Sequence, residues 1–144
     1  MQTVKQLLEN KASNALIHVS PESSVFQALQ LMAEKNVGAV LVMEEGAVVG
    51  VFSERDYARR VVLQGRTSAG TQVRDIMTSR VVYVTPANTL DECMALMTEK
   101  RIRHLPVLEG CCVKGILSIG DLVHATIEEQ KFVIEQLVHY IQSA

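Results

Sequence analysis

Apolar and polar positions along this 144-residue chain follow two periods in turn, and the same succession occurs twice. Residues 16–19 and 81–84 are β-branched or aromatic runs closed by Ser20-Pro21 and Thr85-Pro86, which predicts a short strand in each place. Ser24-x-x-Gln27 and Thr89-x-x-Glu92 are capping-box patterns. Behind them, Val25, Ala28, Leu29, Met32 and Leu90, Cys93, Met94, Met97 keep the i, i+3, i+4, i+7 spacing of a helix with one buried stripe. Short apolar runs at 39–43 and 104–108 then predict buried strands. Turns at Glu44-Glu45-Gly46 and Glu109-Gly110 lead to strands at 48–52 and 113–117. A second helix is expected to start near Ser53 or Ser118. Pro106 has no N–H to give a ladder, so its strand should be an edge or lie open to a ligand.

The two successions are one repeat. Pro21 and Pro86, Gly50 and Gly115, and Asp56 and Asp121 each stand 65 positions apart, and residues 20–58 align on 85–123 without a gap. Leu31/Leu96, Met32/Met97, Glu34/Glu99, Lys35/Lys100, Val42/Val107, Val48/Val113 and Ser53/Ser118 are identical. The lead-ins Val4-Lys5-Gln6-Leu7-Leu8 and Val73-Arg74-Asp75-Ile76-Met77 also match, at a spacing of 69, so the first copy carries about four extra residues before its first strand. The expected division is repeat one at 1–64, a small polar linker at 65–72, repeat two at 73–126 and a helical tail at 127–144. The fold class is α/β (α+β), two β-α-β-β-α repeats. One copy alone buries too little apolar surface to be comfortably stable. Two copies packed sheet to sheet, sharing one core, leave two equivalent clefts between them.

Composition narrows the function. Hydrophobic residues are 48% of the chain, aromatics only 4%, and there is no tryptophan, so valine, leucine, isoleucine and methionine must build the core. A net charge of −2 gives no general attraction to nucleic acid or anionic membrane. The polar start and the lack of an apolar run near ~18 residues lead us to expect a cytoplasmic protein. Cys93, Cys111 and Cys112 suit a reducing compartment; the vicinal pair could chelate a soft metal, but a turn and strand start explains it without one.

Over roughly residues 3–126 the pattern resembles the tandem CBS (cystathionine-β-synthase) domain pair, or Bateman module, as a stand-alone chain. The residues that carry the resemblance are Gly50-Val51-Phe52-Ser53-Glu54-Arg55-Asp56, Gly115-Ile116-Leu117-Ser118-Ile119-Gly120-Asp121 and Ile102-Arg103-His104-Leu105-Pro106-Val107. The resemblance implies an adenosine ligand in the inter-repeat clefts (AMP, ADP, ATP or NAD, with S-adenosylmethionine ranked behind them). It also implies a homodimer and a regulatory role toward a separate, unknown partner protein. Because first strands line the clefts in that family, Ile17 and Val82 become candidates for the adenine slot.

The residues themselves support a nucleotide in part. Ser53 and Ser118 sit where a strand becomes a helix, and free N–H groups there suit phosphate. Asp56 and Asp121, one turn on, could accept bonds from vicinal ribose hydroxyls. The same Ser-x-x-Asp is equally a plain cap that needs no ligand. Arg55, Arg59 and Arg60 surround the first signature, whereas the second copy offers Arg103 and His104 where the first has Gly38 and Ala39. Guanidinium forks suit phosphate oxygens. Arg55, Arg59, Arg103 and His104 are therefore the expected phosphate contacts, in one cleft drawing on both copies, with a solvated helix face the other reading for Arg59 and Arg60 and a core or interface imidazole the other for His104, and the two clefts should differ.

Catalysis is not expected: no nucleophile-elbow pattern surrounds Ser53 or Ser118, and the four histidines lack metal-ligand spacing. The competing reading is a ligand-free scaffold that acts through dimerisation and a C-terminal helix, whose Ile127, Ile134, Leu137, Val138 and Ile141 form an apolar stripe.

Overall fold

In the computed structural model, residues 2–11 and 16–143 are described. The order is α1 (Val4–Asn10), β1 (His18–Val19), α2 (Val25–Lys35), β2 (Ala39–Glu44), β3 (Ala47–Ser53), α3 (Glu54–Asp56) continued by a π-helical stretch (Tyr57–Val62), α4 (Val73–Ile76), α5 (Leu90–Lys100), β4 (His104–Glu109), β5 (Cys112–Ser118) and α6 (Ile119–Ser143). The first copy forms a sheet β1-β2-β3, with β1 parallel and β3 antiparallel to β2. The second forms the antiparallel pair β4-β5. Both hairpins carry a register shift at the same place in the repeat, after Val42 and after Val107.

The capping boxes form as the sequence expects. Ser24 and Gln27 exchange bonds of 3.0 and 3.1 Å, and Thr89 and Glu92 two of 3.1 Å. Asn36 and Arg101, at equivalent positions, end α2 and α5 in the left-handed conformation.

Two expected elements differ. Residues 81–84 are not a strand: only Val84 bridges β4, through Val84 N to Pro106 O and Leu108 N to Val84 O. In the first copy the Leu41 N–H donates to the Ile17 carbonyl at 3.2 Å and carries the pairing on. The residue matching Leu41 is Pro106, which has no N–H, so the pairing stops at Val84 and the Val82 carbonyl receives no backbone donor among the described residues. The helix after Ser53 departs from the α form after one turn, while α6 runs unbroken through Thr126 and Ile127 to Ser143.

The lead-in helices are exchanged. Val4 and Lys5 donate to Asn88 and Pro86 in the second copy; at matching positions Val73 and Arg74 donate to Ser23 and Pro21 in the first. Most buried residues accordingly sort into two cores, not the single shared one expected, with Ala39 and Leu41 buried outside both. Val4 and Leu7 complete a core with Leu90, Cys93, Met97, Leu105, Leu117 and Leu122. Val73 and Ile76 complete one with Val25, Ala28, Met32, Val40, Phe52 and Val61. Each lead-in supplies apolar surface that the other copy's sheet must cover, so the exchange couples the folding of the two repeats.

Candidate functional site

The exchange determines the cleft. Leaving α4, the chain lays Thr78 along the free edge of β3, with Val51 N–Thr78 O and Thr78 N–Val51 O both 2.9 Å. Gly50 allows this approach: a Cβ there would lie 2.6 Å from Met77 Sδ and 3.0 Å from the Thr78 carbonyl. Residues 78–82 then face the start of α3 and the entry to β4 across a cleft of about 730 Å³. That volume falls in the range of small-molecule sites, ~300–1,000 Å³.

Eight of the expected site residues line this cleft: Ser53, Arg55, Asp56, Arg59, Val82, Arg103, His104 and Pro106. Three do not. Ile17 packs against the first core, Ser118 is paired with His104 in the β4–β5 ladder outside the lining, and Asp121 lines a separate cleft beside Lys11 and His124. The cleft therefore draws on both copies, with the signature of the first and the Ile102–Pro106 stretch of the second.

Ser53 and Asp56 make a cap. Asp56 Oδ2 accepts from Ser53 N at 3.0 Å and Ser53 Oγ at 3.1 Å, and Ser53 Oγ accepts from Asp56 N at 3.3 Å. Thr78 Oγ1 donates to the other carboxylate oxygen at 3.2 Å. At 8% exposure Asp56 is fixed at the floor of the cleft by these bonds.

Five arginines line the cleft against two carboxylates, Glu54 and Asp56. Two are already engaged: Arg55 donates to the Arg101 carbonyl, and Arg60 donates at 3.1 Å to both the Ile76 and Met77 carbonyls at the end of α4. The side chains of Arg59, Arg80 and Arg103 have no hydrogen-bond or ion-pair partner among the described residues. They come from three separate segments: the π-helical stretch, the exchanged chain after α4, and the entry to β4. Uncompensated guanidinium groups converging on a cleft with apolar walls at Val81, Val82, Ile102 and Pro106 can hold an anion that also carries an apolar part. His104 adds no charge to the set near neutrality. Burial pushes its imidazole below the ordinary range, with Arg103 and Lys11 adding to the shift and Glu54 and Asp121 opposing it.

Thr78 and Arg80 were not singled out in the sequence. Arg80 stands where the first copy has Ala15, so the comparison that picked out Arg103 against Gly38 would have found it too. Thr78 left no such mark, because its position depends on the exchange of the lead-ins.

The cleft at Asp121 is built differently. Ser118 N and Asp121 Oδ2 form the matching cap at 2.8 Å, but Lys11 at the end of α1 donates at 3.1 Å to Asp121 Oδ2 and at 3.1 Å to the Ile116 carbonyl. A cation of the chain itself thus sits on the carboxylate that repeats Asp56. The α1 helix is seven residues long against four for α4, which carries Lys11 to that point. The Cys111 and Cys112 thiols are exposed, and among the described residues no third ligand stands ready to complete a metal site.

Comparison with known proteins follows the same lines. The CBS domain family profile matches residues 4–63 and 73–128. The chain is 36% identical over 148 residues, 97% of its own length and 72% of the relative's, to the mitochondrial CBS domain-containing protein CBSX3 of Arabidopsis thaliana. A solved protein with CBS domains from Burkholderia ambifaria is 50% identical, with a TM-score of 0.87 over 90% of this chain and 96% of that one. The CBS domain pair of protein MJ0100, solved with 5′-methylthioadenosine and S-adenosyl-L-methionine, shares the fold at a TM-score of 0.79 and 21% identity, covering 90% of this chain and 98% of its own.

Proposed function

This chain belongs to the CBS-domain family, as two CBS domains in tandem, and on that premise we propose that it is a regulatory module. On this reading its first cleft binds an adenine nucleotide, and occupancy is relayed to a partner protein with no bond made or broken. The observation that carries the reading is the convergence of Arg59, Arg80 and Arg103, without internal partners among the described residues, on one cleft. Three free guanidinium groups favour the phosphate chain of ATP or ADP over AMP or NAD. They disfavour S-adenosylmethionine, which is cationic at its sulfonium, although the distant structural neighbour MJ0100 was solved with it.

The base is assigned to the slot between Val82, Ile102 and Pro106, where the Val82 carbonyl freed by Pro106 accepts a bond from an exocyclic amine. The ribose is assigned to Asp56 beside Ser53, and the phosphates to the arginines. Ser118 and Asp121 are assigned no ligand, since Lys11 already holds that carboxylate. Ile17 is a core residue on this reading. Three free cysteines suit a reducing compartment, the cytoplasm being our assignment.

A thermal-shift series with ATP, ADP, AMP, NAD and S-adenosylmethionine tests this. A nucleotide at about 100 times its Kd adds roughly 2.7 kcal/mol of stability. We expect the largest shifts with ATP and ADP; no shift with any nucleotide, or the largest with S-adenosylmethionine, contradicts the reading. The second reading, a ligand-free interaction module, is favoured by one observation, the long exposed part of α6.

A further inference from the structure

Helix α6 has two apolar sides, and the side of Leu122 and Ala125, buried at its start, continues exposed at Phe132, Val133 and Tyr140. Leu122 and Ala125 are its buried residues, within the second core, and residues 127–143 are exposed without interruption. That exposed part spans roughly 25 Å at 1.5 Å per residue. The other side carries Val123, Ile127, Ile134, Leu137 and Ile141 at 47%, 45%, 58%, 57% and 71% exposure. With Gln130 they occupy positions 123, 127, 130, 134, 137 and 141, a spacing of 4-3-4-3-4. This is the a/d seam of nearly three heptads.

The seam lies roughly 130° around the helix from Leu122 and Ala125, at 3.6 residues per turn. It begins at Val123, inside the stretch where α6 is already packed, so bending the tail back onto its own domain would not cover it. We propose that the seam pairs with the same seam of a second copy of this chain, as a parallel, in-register two-stranded coiled coil. A repeat of 3.5 residues is matched by a helix with that repeat, and the seam itself carries no charge for a charged groove to recognise. Isoleucine at the a positions 127, 134 and 141 with Leu137 at d is the combination that favours two parallel strands, and in register Gln130, at d, meets its own counterpart across the pair.

The flanks agree with this occupant. Across a parallel pair Thr126 of one copy faces Lys131 of the other and Val133 faces Val138, while Glu128, Glu129 and Glu135 lie outside the contact, so no like charges oppose. The inference is independent of what the cleft binds.

The test uses the full chain in a Cys111→Ser/Cys112→Ser background, since those exposed thiols would cross-link on their own. Sedimentation should show a dimer, and mild oxidation of Leu137→Cys should join two chains at least about tenfold faster than oxidation of Glu135→Cys. Ile134→Glu/Leu137→Glu should raise the dimer Kd about a hundredfold or more while the melting temperature of the domain holds, both positions being exposed in the single chain. A monomeric parent, equal cross-linking at 135 and 137, or an undiminished dimer in the double variant overturns the proposal.

Discussion

Lys11 Nζ lies 3.1 Å from Asp121 Oδ2, so the carboxylate that repeats Asp56 is already neutralised from within the chain. Both side chains are about a quarter exposed, and the same ammonium holds the Ile116 carbonyl. Lys11→Met should therefore cost on the order of 1 kcal/mol, the net worth of a partly screened charged hydrogen bond. Nucleotide affinity at the first cleft should stay unchanged. Urea denaturation and a nucleotide titration of the variant check both points, and full retention of stability would show that the contact does nothing for the fold.

Arginines within one cleft should separate into two behaviours. Arg60 supports the end of α4 through two carbonyls, so Arg60→Ala should lower the melting temperature and leave ATP affinity within about twofold. Arg80 has no partner among the described residues, so Arg80→Ala should leave the melting temperature in place and weaken ATP binding by about tenfold or more. The reverse pattern would mean that the phosphates lie elsewhere.

The two matched glycines should respond unequally. A methyl at Gly50 collides with Met77 Sδ and the Thr78 carbonyl, so Gly50→Ala should destabilise by about 1–3 kcal/mol, an overpacking cost. At Gly115 the nearest atom is Leu8 Cδ2 at 3.4 Å, the end of a flexible side chain, and Gly115→Ala should cost less than about 1 kcal/mol. Equal losses in denaturant melts would contradict the close seating of the exchanged segment on β3.

Acid should act through His104. Its pKa in the folded chain lies below the ordinary value of about 6.5 because burial disfavours the imidazolium. The unfolded chain then binds more protons beneath that pH, so stability is fully present above about 6.5 and is lost as pH falls toward the folded value. Melting temperatures from pH 7.5 to 5 should fall more steeply in the parent than in His104→Gln, and parallel curves would rule the imidazole out.

Thiol chemistry should distinguish the cysteines. Cys93 is buried in α5, and burial, with Glu92 adding to it, pushes its thiol up to about 11. Cys111 and Cys112 are exposed at the β4–β5 turn. Ellman's reagent should modify those two in the native protein and reach Cys93 after denaturation; rapid modification of Cys93 in the folded chain would contradict its burial.

Much of this was legible because the repeat doubled every signal. The helices behind Ser24 and Thr89, both hairpins, the Ser-x-x-Asp caps and the gathering of Arg59, Arg103 and His104 all follow from local pattern and from comparing one copy with the other. What escaped depends on contacts distant in sequence. The exchange of α1 and α4 leaves no local trace, so neither Thr78 on the edge of β3 nor Lys11 on Asp121 could be foreseen. Residues 81–84 read as a strand from their own composition and lost that form through a proline more than twenty positions away. That same proline leaves the Val82 carbonyl, at the cleft, with no backbone donor among the described residues.

Calorimetric titration of ATP into the intact chain tests the central claim most directly. The account predicts one site per chain in the wild type and no measurable binding in Arg59→Ala/Arg80→Ala/Arg103→Ala at unchanged melting temperature. Absence of binding to the wild type, or undiminished binding to the triple variant, would contradict it.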